Sequence, residues 1–392
     1  MNKRSFFRLN AVVILLLAVL GCNLSTSNRS RSNDLNWKLF RGNAGLSGYS
    51  AQTLPETPVL LWSYNGGART VSSPVIDNGT SYWCDNRGYV KGVSLKGELS
   101  FEYKLNTAVE ATPMIHDSVL YIGRIDGKMT AISLAANDTI WNFETLGQIS
   151  ASPNLGALND KQLIVFGSYD NYFYCVDSHS GKKTNRFESG YYINGAAALW
   201  KNYLVFGGCD AWLRVIDYQT GTVTDSLLLD AYIPASPAIM GNFCYVADYA
   251  GDIYEVQLEN GKIARSKKLV SANSDNGAMF ASPALDNENL YYLGDDRNLY
   301  SVSRKTGNIN WKFLLKGDTG ESSPLVCNNK VIACTKTGIV TIHHAETGEQ
   351  LWEYDTGEQI VGSPAVISKH VMILTAKGTL FCFGEKPEKT KK

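Results

Sequence analysis

An all-β chain wound into an eight-bladed propeller is what this sequence predicts, on three observations. A small hydroxyl residue followed by proline returns about every forty residues. Each interval holds four short apolar runs separated by turn residues. The first and last units are incomplete in complementary ways. The anchor pairs are Ser73-Pro74, Thr112-Pro113, Ser152-Pro153, Ser236-Pro237, Ser282-Pro283, Ser323-Pro324 and Ser363-Pro364. An eighth, degenerate anchor lies in Asn194–Leu199, with Ala197 in the proline's place.

Asn106–Thr145 shows one unit most plainly. After Thr112-Pro113 comes the apolar run Val119–Gly123, then the turn Asp126-Gly127, the alternating stretch Met129–Leu134, a polar turn, and a closing run with Trp141 and Phe143. Two-fold alternation bounded by Gly, Asp and Asn marks half-buried strands, and Asp-Gly between two such runs marks a hairpin. The outer strand of a unit carries an aromatic at Phe101, Trp141, Trp311 and Trp352; Asn185, Asp225 and Arg265 stand in that slot in the middle units. These aromatics are expected to wedge between neighbouring blades. The final unit stops at Phe381-Cys382-Phe383 without a fourth strand, while Leu60–Tyr64, ahead of the first anchor, is a fourth strand without a unit. Pairing the two closes the ring and removes free sheet edges.

Ahead of the ring the chain opens with Lys3, Arg4 and Arg8, an apolar core from Ala11 to Leu20, and Gly21-Cys22. This reads as a secretory signal over residues 1–21, its core too short to span a bilayer comfortably. Residues 22–36 are rich in Ser, Asn, Arg and Thr and read as a flexible tether. The propeller is expected over 37–384, with Trp37–Pro58 crossing or plugging one end of the ring. Residues 385–392 read as a solvated charged tail.

Lys+Arg and Asp+Glu both number 37, so no basic field is available to attract nucleic acid. The histidines (His116, His179, His343, His344, His370) show no ligand spacing, and adjacent His343 and His344 should leave opposite faces of a strand. Cys22 apart, the seven cysteines contain no Cys-x-x-Cys pair and sit mostly in apolar strands, where a free thiol packs as a small apolar group. Asp295-Asp296 lacks the alternating acidic spacing of a calcium loop. There is no nucleophile elbow, Walker loop or dinucleotide glycine motif. No catalytic residue, metal or cofactor is therefore expected. The links between blades carry large side chains at Tyr191, Tyr192, Tyr232, Met279 and Phe280, which suit a face that docks a protein partner. Phe280 could equally start an inner strand.

The repeat, Ser-Pro followed by (Val/Leu)-Tyr-x-Gly, x-Asp-Gly-x and x-Thr-Gly-x-x-x-Trp, resembles the PQQ repeat of quinoprotein-type propellers. Its Thr-Gly turn stands at Thr220-Gly221, Thr306-Gly307 and Thr347-Gly348, with Ser180-Gly181 and Asn260-Gly261 as variants, and the resemblance covers Leu60 to Phe383. Val19-Leu20-Gly21-Cys22 resembles a bacterial lipobox, which implies cleavage before Cys22 and acylation of that residue. Asn23, where some lipoproteins carry an inner-membrane retention aspartate, resembles an outer-membrane address. Together these features resemble the BamB family of outer-membrane β-barrel assembly lipoproteins. That resemblance implies a non-enzymatic, monomeric propeller anchored to the outer membrane and facing the periplasm. Its partner would be the barrel-inserting protein of the assembly machinery. Two other readings stay open. One is a quinoprotein-like binder of pyrroloquinoline quinone or another small molecule, although the adjacent cysteine pair common beside the quinone is absent. The other is an envelope interaction protein with a different partner.

Overall fold

The computed structural model describes residues 36–271 and 279–386. The signal segment, Cys22, nearly all of the tether, the tail beyond 386 and most of the insertion from Ser271 to Phe280 lie outside the described residues.

Eight antiparallel four-stranded blades form the ring; seven run outward from the axis in chain order, the eighth takes its outer strand from the N-terminal side, and the short strand Tyr49–Ser50 adds in parallel to the inner strand of the seventh. The second blade is representative: Met114–His116, Val119–Gly123, Lys128–Ser133 and Asp138–Glu144. In its third strand the four central residues are all buried, whereas the outer strand alternates between covered and exposed positions. Neighbouring blades cover both faces of the inner strands, and only the outer strand meets water on one side. In all eight blades the pairing of third and outer strands is interrupted by a register shift. Such bulges add right-handed twist at a sheet edge, which the fan-like stacking of blades requires.

The ring closes as the two incomplete units predict. Val59–Asn65 pairs antiparallel with Thr379–Gly384, with Leu60 opposite Phe383, Ser63 opposite Phe381 and Asn65 opposite Thr379. The seam is packed like a blade interior: Trp352 of the seventh blade meets the Phe383 ring edge-on at 5.1 Å.

The wedge role of the outer tryptophans has a specific geometry. Trp141 Nε1 donates to Ser178 O (3.0 Å), Trp311 Nε1 to Ala345 O (2.9 Å) and Trp62 Nε1 to Leu95 O (2.8 Å), each in the turn before the next blade's outer strand. The ring then lies on the glycine of that turn. At Gly181, which holds φ +67°, a Cβ would sit 2.6 Å from Trp141 Cδ2. The Thr-Gly turn and the tryptophan of the preceding blade are thus two halves of one contact, and only glycine fits both the space and the backbone. Asn185 fills the slot with a hydrogen bond of the same sense, Nδ2 to Tyr218 O (3.4 Å). Asp225 reverses the polarity and accepts from the Ile263 amide (2.9 Å). In the fifth blade the expectation needs correction. The outer slot pairs with the fourth residue past the turn between strands two and three, as Trp141 with Ala131, and there Glu255 faces Lys267, not Arg265. The outer strand of this blade, Lys262–Val270, runs nine residues, which displaces the slot by two.

The anchors explain themselves at the axis. The amide of Ser363 donates to the Ser73 hydroxyl (2.9 Å), Ser73 to Thr112 (2.9 Å), Thr112 to Ser152 (3.2 Å), Ala196 to Ser236 (2.9 Å), Ser282 to Ser323 (3.0 Å) and Ser323 to Ser363 (3.1 Å). A hydroxyl at this position satisfies a buried amide of the preceding blade, which would otherwise cost free energy. Ala196 has no hydroxyl to offer Ser152, so the degenerate anchor is also a gap in this ring.

Trp37 to Gln52 closes the opposite end of the axis, and it touches every blade. Trp37 exchanges two amide bonds with Ile76 (both 2.8 Å). Amides of Ile115, Leu199, Ile239, Leu285, Val326 and Asn328 donate in turn to Lys38, Ala44, Gly45, Ser47, Gly48 and Ser50. Asn154 Nδ2 reaches Ala44 O (2.8 Å), and the Ser368 amide donates to Gln52 Oε1. Arg41 is buried in this plug, its guanidinium donating to the carbonyls of Leu46, Pro283 and Pro324. Burial pushes its pKa down to about 9, which still leaves it charged at neutral pH.

Candidate docking face

Because the second strand of each blade runs toward one end of the ring and the third runs back, two sets of loops share that end. They are the links from outer strand to next inner strand, and the turns between strands two and three. Main-chain bonds tie the two sets together, as from the Tyr169 amide to Gln148 O (2.9 Å) and from the Tyr249 amide to Tyr232 O (2.8 Å). The loops at this end are therefore braced.

Aromatic side chains gather here over blades three to six. Tyr169 stacks on Tyr192 (centroids 5.5 Å), and Tyr192 meets Tyr191 edge-on (5.1 Å). Tyr232 stacks on Tyr249 (4.3 Å), and Tyr249 meets Phe280 edge-on (5.5 Å). Tyr191, Tyr192 and Phe280 remain 47%, 49% and 47% exposed, and Leu146 on the adjoining link is 98% exposed. Ring–ring contacts hold these side chains in place and lower the entropy a partner would have to remove. Exposed, pre-ordered aromatics on a braced surface are the composition of an interface core.

Of the residues singled out in the sequence, Tyr191, Tyr192, Tyr232 and Phe280 come together in this arc. Met279 does not: it is 2% exposed and packs with Tyr245, Leu269 and Tyr292 between blades five and six. Backbone alternation explains the split, since neighbours in an extended link point opposite ways. Tyr169 and Tyr249 were missed. They occupy the turns Ser168–Asn171 and Asp248–Gly251, and a tyrosine flanked by aspartate at the same turn in two blades was the available signal.

Beside the arc, the axis opens as a funnel. Its mouth is set by residues two positions before the anchors, among them Val71, Glu110, Asn194, Phe280 and Glu321. The hydroxyl ring lies deeper, and Phe40 of the plug lines the same cavity of about 220 Å³. The only ionisable side chains in this lining are Glu110 and Glu321. Pyrroloquinoline quinone carries three carboxylates, so a funnel with two acids and no lysine or arginine does not fit it. Among the described residues no group of three or more His, Cys, Asp or Glu is placed to hold a metal ion. The seven described cysteines are all free, and six are buried.

The repeat, the closed ring and the plugged axis define an eight-bladed propeller built of PQQ-like repeats. The family model described as outer membrane protein assembly factor BamB matches residues 197–390, just under half of the chain. BamB of Legionella pneumophila (strain Paris) is 28% identical over 142 residues, 36% of this chain and 35% of that protein. The match therefore spans about a third of the relative's length. The solved BamB of Moraxella catarrhalis superposes with a TM-score of 0.69 at 17% identity, covering 85% of this chain and 99% of that one. The quinohemoprotein alcohol dehydrogenase of Comamonas testosteroni superposes at 0.73 and 15% identity, covering 92% and 83%. At these identities the structural likenesses establish the fold alone. The chain is an eight-bladed propeller with a PQQ-like repeat that resembles the assembly factor BamB.

Proposed function

We propose that the chain is a non-enzymatic scaffold of the cell envelope that supports assembly of outer-membrane β-barrel proteins by docking a protein partner on its aromatic face. In this reading Cys22 carries a lipid anchor that holds the propeller at the outer membrane, facing the periplasm. The similarity to BamB supports the role. The observation that carries it is the stacked, half-exposed arc of Tyr169, Tyr191, Tyr192, Tyr232, Tyr249 and Phe280 on one braced end of the ring. A partner that buries such an arc displaces ordered water from aromatic surface without having to immobilise the loops. The partner class is a periplasmic domain of the barrel-inserting machinery.

A photo-crosslinking residue placed at Tyr192, at Phe280 and, as a control on the opposite end, at Asn260 tests this in cells. Capture of a barrel-assembly component from the first two positions and not from Asn260 is the expected result. Absence of any such component from Tyr192 and Phe280, with the protein folded and exported, would end the assembly role and leave the fold intact.

A further inference from the structure

The fifth and sixth blades meet differently from the tryptophan-wedged blades. Lys267 holds the outer slot and turns back to Glu255 of its own blade (3.0 Å), while Leu269 covers the turn glycine Gly307. A cavity of about 400 Å³ stays open between the two blades. Four cations line it (Arg265, Lys267, Arg304 and Lys305) against one carboxylate, Glu255, and Phe243 and Tyr245 supply aromatic wall. The nearby Asp286 is engaged elsewhere: its carboxylate accepts from Tyr291 Oη and from the Glu288 and Asn289 amides. The groove therefore holds a formal surplus of three positive charges in a chain whose net charge is zero.

Arg304 is fixed. Its Nε donates to Tyr245 Oη (3.0 Å), its Nη1 to the carbonyls of Asp286 and Asn287, and its Nη2 to Met240 O, with the guanidinium over the Tyr245 ring. These acceptors orient the guanidinium without cancelling its charge. Arg265 and Lys305 are exposed and have no ion-pair partner among the described residues. Like charges gathered in a concave, partly apolar groove raise the local potential and favour a multiply charged anion over a single carboxylate.

We propose that this groove binds a phosphate-bearing ligand, with the phosphate held by Arg265, Arg304 and Lys305 and an apolar or planar body laid against Phe243. The cavity is several times larger than a bare phosphate needs and falls in the range of small-molecule sites, so the ligand carries such a body. Two sources share this chemistry: a soluble phosphorylated compound and a phospholipid headgroup. The described chain begins at Asn36, bonded to Asn78 in the turn after the first blade's inner strand. The turns that carry Asn287, Arg304 and Lys305 lie at that same end of the ring.

The test uses the chain from Asn23 to Lys392, which lacks both Cys22 and the apolar run Ala11–Leu20, so that neither an acyl group nor that run reports on membranes. Inorganic pyrophosphate is titrated by calorimetry, and sedimentation is measured with vesicles of phosphatidylglycerol and of phosphatidylcholine. Arg265→Glu/Lys305→Glu is compared throughout; both residues are exposed, and the far-ultraviolet spectrum and melting curve of the variant should match the parent. Saturable binding of pyrophosphate at one site, weakened about tenfold or more in the double variant, is expected. Variant-sensitive sedimentation with phosphatidylglycerol alone assigns the phosphate to a lipid headgroup; pyrophosphate binding without sedimentation assigns it to a soluble ligand. No saturable binding of either probe, or equal binding by parent and variant, overturns the proposal.

Discussion

Each tryptophan wedge is a contact between a side chain and an absent one, so the two positions should be strongly coupled. Gly181→Ala places a non-glycine residue at φ +67°, a cost of about 1–2 kcal/mol. It also drives a methyl to 2.6 Å from Trp141 Cδ2, an overlap that costs about 1–3 kcal/mol in a packed interior. Trp141→Ala removes a largely buried indole and its bond to Ser178 O, a loss of about 3–5 kcal/mol. With the indole gone, alanine at 181 has nothing to strike, and only the backbone cost remains. The double variant should therefore be more stable than the sum of the single losses by about 1–3 kcal/mol. Urea unfolding of the four proteins, read as midpoint shifts at constant slope, measures this. Additivity to within about 0.5 kcal/mol would show that the glycine is not the seat of the tryptophan.

Three further outcomes follow from buried groups. Arg41→Ala strips three carbonyls of the plug of their donor and should cost about 2–4 kcal/mol, with limited proteolysis then cutting before residue 52; an unchanged melting curve would refute the anchoring role. His343 is fully buried between Trp311, Phe313 and the Gly348 carbonyl, and burial holds its pKa down to about 4 from 6.5. The unfolded chain thus binds the extra proton between pH 6.5 and 4, so stability falls as pH drops through that window, by about 3 kcal/mol. His343→Gln should abolish that part of the slope, as pH-dependent urea midpoints would reveal. Burial pushes the thiols of Cys175, Cys327, Cys334 and Cys382 up to about 12 and those of Cys84 and Cys244 higher still. In Cys22→Ser protein one thiol, half-exposed Cys209, should react with a chromogenic disulfide before unfolding; two or more fast thiols would contradict the packing.

Blade number and ring closure were legible because they rest on residues whose physical task is local and repeated. A hydroxyl beside proline caps the preceding blade's amide at the axis, and a glycine turn seats a tryptophan, so both motifs recur at the blade period. The unpaired run Leu60–Tyr64 and the missing strand after Phe383 could only belong together. The plugging role of Trp37–Pro58 was legible from its place before the first anchor. Its tour of all eight blades was not, because main-chain bonds leave no mark on residue identity. Arg265 was misplaced against Lys267 since a two-residue extension shifts register without altering the alternation. The aromatic arc was half legible: Tyr191 and Tyr192 announce themselves, but their neighbour Tyr169 comes from a turn about twenty residues earlier in another loop. Met279 and Phe280 differ in burial only through which way the link points them. The basic groove of the fifth and sixth blades could not be read at all, since Arg265 and Arg304 are brought together by blade stacking alone.

The most direct measurement of the central claim is a disulfide across the seam. Asn65 and Thr379 are paired partners of the first and last strands of the ring, and the described cysteines are buried except for Cys209. In the Asn65→Cys/Thr379→Cys protein, mild oxidation should give a rapid, near-complete intramolecular crosslink and a higher melting temperature. A protein that fails to crosslink while folded, or that crosslinks only between two chains, would contradict a ring closed by its own ends.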